Sequence, residues 1–359
     1  MHLRNAPRGI RRMLPLILAG ATLLAWFTPQ SPAATKVAVK VMQQNMDAGT
    51  DLGYITNATD TKSLIIGLVK TIQEVAASQF TQREALLADE IAILRPDLIA
   101  LQEVTLYRQG PLNQPPATQV MWDQLQSLTD ALAARGLHYS VVAVNNLMDA
   151  EVPTPLGFDF RMTDRDAMLA RTDLPASVFA LSNVQQGIYQ SEWVFGDPVL
   201  GTIPVPRGWM TVDVQMGAAH FRFVNTHLES PPAPNECQEA QAAELVQILG
   251  TAAMPVVLLG DFNSNAEPGQ DHDQTPDIIQ EAGFVDAWHA LHPFDPGYTW
   301  PLHGEDGKPN TQPYERIDLI FLRGLGAAEV FKTGGWHTPA GLWLSDHDGV
   351  FAYVPMPEE

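Results

Sequence analysis

The sequence predicts a layered α/β fold. Short apolar runs rich in β-branched residues recur along the chain, amphipathic helical stretches lie between them, and no repeat or low-complexity linker divides residues 34–359. The 359 residues are 45% hydrophobic and 17% charged, a composition that can bury its own core, and we expect residues 34–359 to form a single domain.

The first segment stands apart from that domain. "MHLRNAPRGIRR" carries arginine without acid, "MLPLILAGATLLAWF" (13–27) is apolar, and "TPQSPA" ends in small residues. This is the layout of a cleavable export signal over residues 1–33, so the mature protein is expected to be secreted or periplasmic. The apolar core is shorter than the roughly 20 residues a membrane span needs; an uncleaved anchor is the alternative. Arg11 and Arg12 fit twin-arginine export as well as the general route.

Strands are then expected at 36–46, 97–104, 138–144, 167–171, 209–216, 220–228, 255–262, 316–323 and 349–355, most of them with β-branched or alternating apolar residues and Gly, Pro or Asn nearby. The 3.6-residue period places helices at 61–80, 81–95, 120–136 and 236–253. Thr81 with Glu84 reads as a capping box, Pro96 stops that helix, and Gly136 ends the next. The helix over 61–79 fits either a lid or ordinary packing. Proline-rich segments at 111–116, 152–155, 198–206 and 231–234 are expected as surface loops.

Charge and cysteine narrow the function. The net charge is −20, and no Lys- or Arg-rich run offsets it, so a nucleic-acid partner is disfavoured unless a local cleft and bound cations override the global sign. Cys237 is the only cysteine, which removes both an internal disulfide and a cysteine-built zinc site. No motif points to a protein partner.

The ends of the strands carry the chemistry. "KVMQQNMD" finishes at Asn45 and Asp47, "LIALQEV" at Glu103, "FVNTHLES" at Asn225 and His227, and "LLGDFNS" at Asp261 and Asn263. Asp318 lies within "YERIDLIF", and Asp346 and His347 precede the last strand. Buried carboxylates are costly unless paired or metal-bound, so several at apolar strand ends suggest one shared site. Carboxylates and amides without cysteine suit a hard cation, Mg2+ or else Mn2+ or Ca2+. Histidines beside carboxylates add proton transfer, and the combination is what phosphate-ester hydrolysis requires.

The ordered blocks N-x-D (Asn45, Asp47), QE (Gln102, Glu103), THL (226–228), GDFN (260–263), RID (316–318) and SDH (345–347) resemble the endonuclease/exonuclease/phosphatase family over essentially all of residues 34–359. The resemblance implies a deoxyribonuclease-like four-layer sandwich, two mixed β-sheets face to face with helices outside. It implies a metal-dependent phosphoesterase in which Glu103 and Asp346 hold the cation, with Asn45 and Asp47 nearby. His347, oriented by Asp318, would be the acid/base, and His227, Asp261 and Asn263 would contact phosphate or the attacking water. "PRGWMTVDV" places a phosphate-binding arginine at Arg207, although a plain surface arginine fits too. The tyrosine that members carry near the phosphate has no clear counterpart among these motifs, and its place is left open.

A phosphodiester is therefore the expected substrate, nucleic acid or lipid. Trp336 and Trp343 in "GWHTPAGLWLSDH", with "FDPGYTWPLHG" (294–304), could meet a membrane surface or simply pack in the core. A secreted deoxyribonuclease-type activity and a non-catalytic binding module of the same fold are the alternatives. "DAGTD" (47–51) and "DHDQTPD" (271–277) lack EF-hand spacing and read as solvated loops.

Overall fold

The computed structural model describes residues 38–197, 201–250, 254–267, 273–303, 310 and 312–356. The export segment expected over 1–33 lies outside the described residues, as do positions 271 and 272 of the acidic loop.

Strands form where the apolar runs stand, and they assemble into two mixed sheets. The larger runs in the order Glu329–Thr333, Gly349–Pro355, Ala38–Asn45, Leu98–Gln102, Phe158–Arg171, Leu106–Pro111 and Gln119–Asp123, with Tyr139–Pro153 also paired to Phe158–Arg171. The smaller runs Val285–Asp286, Asp318–Arg323, Val256–Asp261, Ala219–His227, Gly208–Met216 and Phe179–Ile188. One pair in each sheet is parallel, Ala38–Asn45 with Leu98–Gln102 and Ala219–His227 with Val256–Asp261.

The two-residue period of these strands decides the layers. Val39, Val41, Leu98, Ala100 and Met168 of one sheet meet Val212, Phe221, Phe223, Val257 and Leu259 of the other in a buried cluster between the sheets. The alternate residues face outward. Met42, Ile99, Leu101 and Phe351 are covered by Leu87, Ile91, Leu125 and Leu128 of helices Phe80–Leu94 and Gln124–Ala134. Val224, Leu258, Leu319 and Phe321 are covered by Ala242, Leu245, Leu249 and Ile279 of helices Asn235–Leu249 and Thr275–Glu281. The result is the four-layer sandwich, its central strands apolar on both faces because both faces are covered.

Several elements differ from the sequence reading. Helix Phe80–Leu94 has no Thr81 capping box: Gln79, in the left-handed region at φ 53°, precedes it, and Glu84 is buried and accepts from Ser127 Oγ at 3.2 Å. The capping box of this region is Asp60 with Ser63, at the start of helix Thr61–Ala77. That helix buries Leu64, Leu68, Ile72 and Val75 along one face, which is packing. The stretch from 120 is strand through Asp123, whose carboxylate then caps helix Gln124–Ala134 by accepting from Gln126 N. Strands at 106–111, 119–123, 145–153, 158–166, 179–188, 193–197, 201–205 and 329–333 were not expected. Most are half-exposed and polar, so neither a continuous apolar run nor a clean alternation marks them.

Candidate active site

Strand register brings the motif residues together. His227 pairs with Asp261, and Asp261 with Asp318, so three neighbouring strands of the smaller sheet present side chains at one level. Across the gap Asn45 pairs with Gln102, with Glu103 next in line. The space between the sheets is apolar along most of its length, then amide (Gln43, Gln102, Asn225), then acidic and imidazole at the strand ends. Gly260 makes that register attainable, because a Cβ there would lie 2.0 Å from Thr226 O. Asp47, Glu103 and Asn263 turn sharply out of their strands with φ of 60°, 53° and 49°, a region most side chains avoid.

Two overlapping groups form. Ligand atoms of Glu103, His227 and Asp261 lie within 4.8 Å of one another, and so do those of Asp261, Asp318 and His347. Asn45 sits between two of the acids: Nδ2 donates to Glu103 Oε1 at 3.0 Å and to Asp261 Oδ2 at 2.9 Å, while Oδ1 accepts from Asp47 N at 2.8 Å. It enters the cluster as a donor that aligns carboxylates. Asp47 is turned to Arg83 Nη2 at 3.0 Å and to Gly49 N at 2.5 Å. Asn263 donates to Leu228 O at 3.0 Å and pairs with His227 Nε2 at 3.1 Å, so Oδ1 is the atom it has left for a ligand.

The histidines are held in opposite states. Burial disfavours the charged form of His347, but the charges of Asp318, Asp346 and Asp261 outweigh it and hold its pKa well above the usual value. Its Nδ1 lies 2.8 Å from Asp318 Oδ2, and its Nε2 lies 3.9 Å from both Asp261 and Asp346. Burial, with the positive charges of Arg207 and His347, drives His227 well below the usual value and keeps it neutral. Two titratable groups pushed apart in this way are suited to different roles.

The carboxylates carry excess charge. Burial, reinforced by Asp346 and Asp164, raises Glu103 to about 8. Burial raises Asp261 to about 6, and burial with the charge of Asp47 raises Asp346. Such a set of oxygen donors, buried beyond what the protein's own cations neutralise, fits a hard divalent ion.

Arg207 is a largely buried site residue and not a surface one, its side chain 11% exposed. Nη1 lies 3.1 Å from both ring nitrogens of His227, Nε donates to Glu229 Oε1 at 3.1 Å, and Nη1 lies 3.8 Å from Asp164 Oδ2. Burial opposes its charge, but Glu229, Asp164, Glu103 and Asp166 keep it firmly protonated. Asp164, Asp166 and Glu229 went unread in the sequence. The two aspartates interrupt "FRMTDRDAM" inside a strand, where no apolar run leads up to them. Asp166 Oδ1 lies 3.6 Å from His227 Nδ1. Among the unassigned histidines, His303 is close enough to Asp346 to favour its charge. Trp336 is exposed, whereas Trp343 packs edge-on against His337 with ring centroids 5.2 Å apart.

A model of the endonuclease/exonuclease/phosphatase family matches residues 55–347. The chain belongs to that family. Members of the endonuclease/exonuclease/phosphatase family are metal-dependent phosphoesterases, which agrees with the oxygen-rich cluster. Solved members share the fold at low identity. D. rerio TDP2 in a humanised form is 16% identical with a TM-score of 0.53, over 89% of this chain and 99% of that one. A family protein from Leptotrichia buccalis is 14% identical at 0.53, covering 89% and 100%. The mannosyl-6-phosphatase of Bacteroides thetaiotaomicron is 16% identical at 0.51, covering 88% and 99%. A curated relative, the inositol phosphosphingolipids phospholipase C of Saccharomyces cerevisiae, is 24% identical over 123 residues. That match takes in 32% of this chain and spans 23% of the relative's length.

Proposed function

We propose that this protein is an exported, divalent-cation-dependent hydrolase that cleaves a phosphodiester by in-line attack of water. The observation that carries the reading is the buried His347–Asp318 pair, 2.8 Å apart, opening on the carboxylates of Glu103, Asp261 and Asp346. Glu103 and Asp346 hold the cation, Mg2+ in the first instance, with Asn45 aligning Glu103 against Asp261. The cation supplies neutralisation of charge on the phosphate oxygens. His347, oriented by Asp318, delivers a proton from Nε2 in its charged form and takes one there once it is neutral. Neutral His227, Asn263 and Arg207 bind the non-bridging oxygens or the attacking water as preorganised donors. The arginine-rich leader over 1–33 directs export.

A lipid headgroup is the favoured phosphodiester. The net charge of −20 opposes a long polyanion, and exposed Tyr314 and Trp336 lie in segments that lead to the site, Tyr314 against Trp300 beside His347 and Trp336 hydrogen-bonded to Leu344. The test is hydrolysis of bis-p-nitrophenyl phosphate, plasmid DNA, RNA, and sphingomyelin or phosphatidylinositol vesicles with Mg2+, Mn2+ or Ca2+ against EDTA. Activity confined to the vesicles and the chromogenic diester supports the lipid reading, and DNA cleavage replaces it with a nuclease. His347→Ala is expected to lose about 10²–10⁴-fold in kcat while the protein still folds, and wild-type turnover in that variant would sink the acid/base assignment.

A further inference from the structure

We infer that Gln43 is a positioning residue for the His347–Asp318 pair, acting through a chain of buried amides that fixes which atom of Asp318 meets the imidazole. The inference rests on the reading of that pair as the acid/base.

The sense of the chain is set by main-chain atoms. Asn225 Nδ2 donates to Leu101 O and Ala167 O, at 3.0 Å each. Carbonyl oxygens only accept, so both amide hydrogens of Asn225 are taken and its Oδ1 must face the other way. There Gln102 Nε2 donates to it at 2.7 Å. Gln102 therefore offers Oε1, to which Gln43 Nε2 donates at 2.8 Å. The remaining hydrogen of the Gln43 amide goes to Asp318 Oδ1 at 2.7 Å. Turning any one of the three amides over would set oxygen against oxygen in the buried interior, where Gln43, Gln102 and Asn225 are all 0% exposed.

The consequence falls on the reacting pair. Asp318 Oδ1 faces a donor and can only accept, which leaves Oδ2 to take the hydrogen of His347 Nδ1 at 2.8 Å. Nε2 of His347 is then the atom presented to the carboxylate cluster. A second feature argues that this glutamine is not there for packing. Its Oε1 is buried with no hydrogen-bond partner among the described residues, an arrangement that an apolar side chain of the same length would avoid. The orphaned oxygen is the cost of directing both amide hydrogens to Gln102 and Asp318. In sequence "KVMQQNMD" reads as a strand that finishes at Asn45 and Asp47, because a glutamine inside a strand carries no chemistry until its partners across the sheets are known.

The test uses the whole protein and has two arms. With bis-p-nitrophenyl phosphate and Mg2+, Gln43→Met is expected to lower kcat about 10- to 100-fold with little change in KM, the usual worth of a partner that orients a reacting group. In the Asp318→Asn background the same substitution should cost little more, because Gln43 acts through Asp318. In the cation-free protein, 15N-histidine NMR should show a downfield Nδ1–H signal of His347 in the wild type that shifts or broadens in Gln43→Met. A Gln43→Met enzyme with wild-type kcat and an unmoved signal overturns the inference while leaving the phosphodiesterase reading intact. So does an equal loss of kcat in both backgrounds, which marks a general effect on the fold. Should Gln43→Met fail to fold, Gln102→Met breaks the chain one step further out and is expected to give a smaller loss of the same pattern. A wild-type enzyme inactive on every diester overturns the function, and the NMR arm alone then decides the orientation of Asp318.

Discussion

Asn45 shows how much one amide settles. It stands between Glu103 and Asp261, giving one hydrogen to each, and the Asp47 amide locks it in that sense. Asn45→Asp keeps the shape, removes both donated bonds and adds a third charge to a pair that burial already strains. We expect a lower Tm without cation and a loss of activity of about 10- to 100-fold, read by differential scanning calorimetry and diester hydrolysis. Wild-type Tm in cation-free buffer would show that Glu103 and Asp261 do not need the amide. At this scale the sequence was legible wherever a polar side chain broke off an apolar strand, which is how Asn45, Glu103, His227, Asp261, Asn263 and Asp346 came to light. It was silent on Arg207 as a buried group, and on Asp164, Asp166 and Glu229 around it. Those partners meet only after two sheets are stacked, and nothing in the local pattern distinguishes them from a solvated strand face.

Between elements, the joint that matters most is made by Arg83 of helix Phe80–Leu94. Nε donates to Leu344 O at 2.7 Å, and Nη2 donates to Met46 O at 2.7 Å and pairs with Asp47 Oδ2 at 3.0 Å. One buried guanidinium thus ties the turn after Asn45 to the loop that leads into Ser345, Asp346 and His347. Tyr107 braces the same turn by donating to Ala48 O at 2.6 Å. Removing Arg83 leaves Asp47 as an unpaired, largely buried carboxylate, so Arg83→Met should destabilise by about 3–5 kcal/mol, with a higher KM for the cation as the two loops part. Urea unfolding and a Mg2+ titration of activity check this; a stability change below about 1 kcal/mol would mean that solvent or a shifted loop satisfies Asp47. The helix itself was legible, but its first residue was not. Thr81 and Glu84 have the spacing of a capping box, yet tertiary packing buries Glu84 against Ser127, and the chain enters the helix through a left-handed Gln79. Strand existence was read well where both faces are covered and poorly in the long ribbon Tyr139–Pro153 with Phe158–Arg171. Tyr139–Pro153 is partly exposed, and in the buried Phe158–Arg171 charged residues break up the apolar run, so neither strand carries a periodic signal.

For the whole molecule, the layered class followed from the sequence because apolar strands and amphipathic helices demand each other's faces, and the same burial makes the fold depend on pH. Glu84, behind the site, is raised to about 8, chiefly by burial and against the pull of Arg83; Glu103 is raised to about 8 and Asp261 to about 6. Each folded-state pKa exceeds the unfolded carboxylate value, so the folded chain binds these protons more tightly. Their stabilising contribution is complete below the unfolded value of about 4 and is lost as pH rises through about 6 to 8. Without cation, Tm should therefore fall between pH 6 and pH 9. A divalent ion binds the ionised cluster of the folded state and not the unfolded chain, so saturating Mg2+ should raise Tm more at pH 9 than at pH 6. Glu84→Gln separates the two sources: it removes the proton that Glu84 must give up and should make the cation-free protein less sensitive to alkaline pH, while the response to Mg2+ stays as in the wild type. A Tm without cation that does not fall above pH 6 would mean that the acids between the sheets are ionised in the folded protein throughout. The strain that calls for a cation at the strand ends would then be absent.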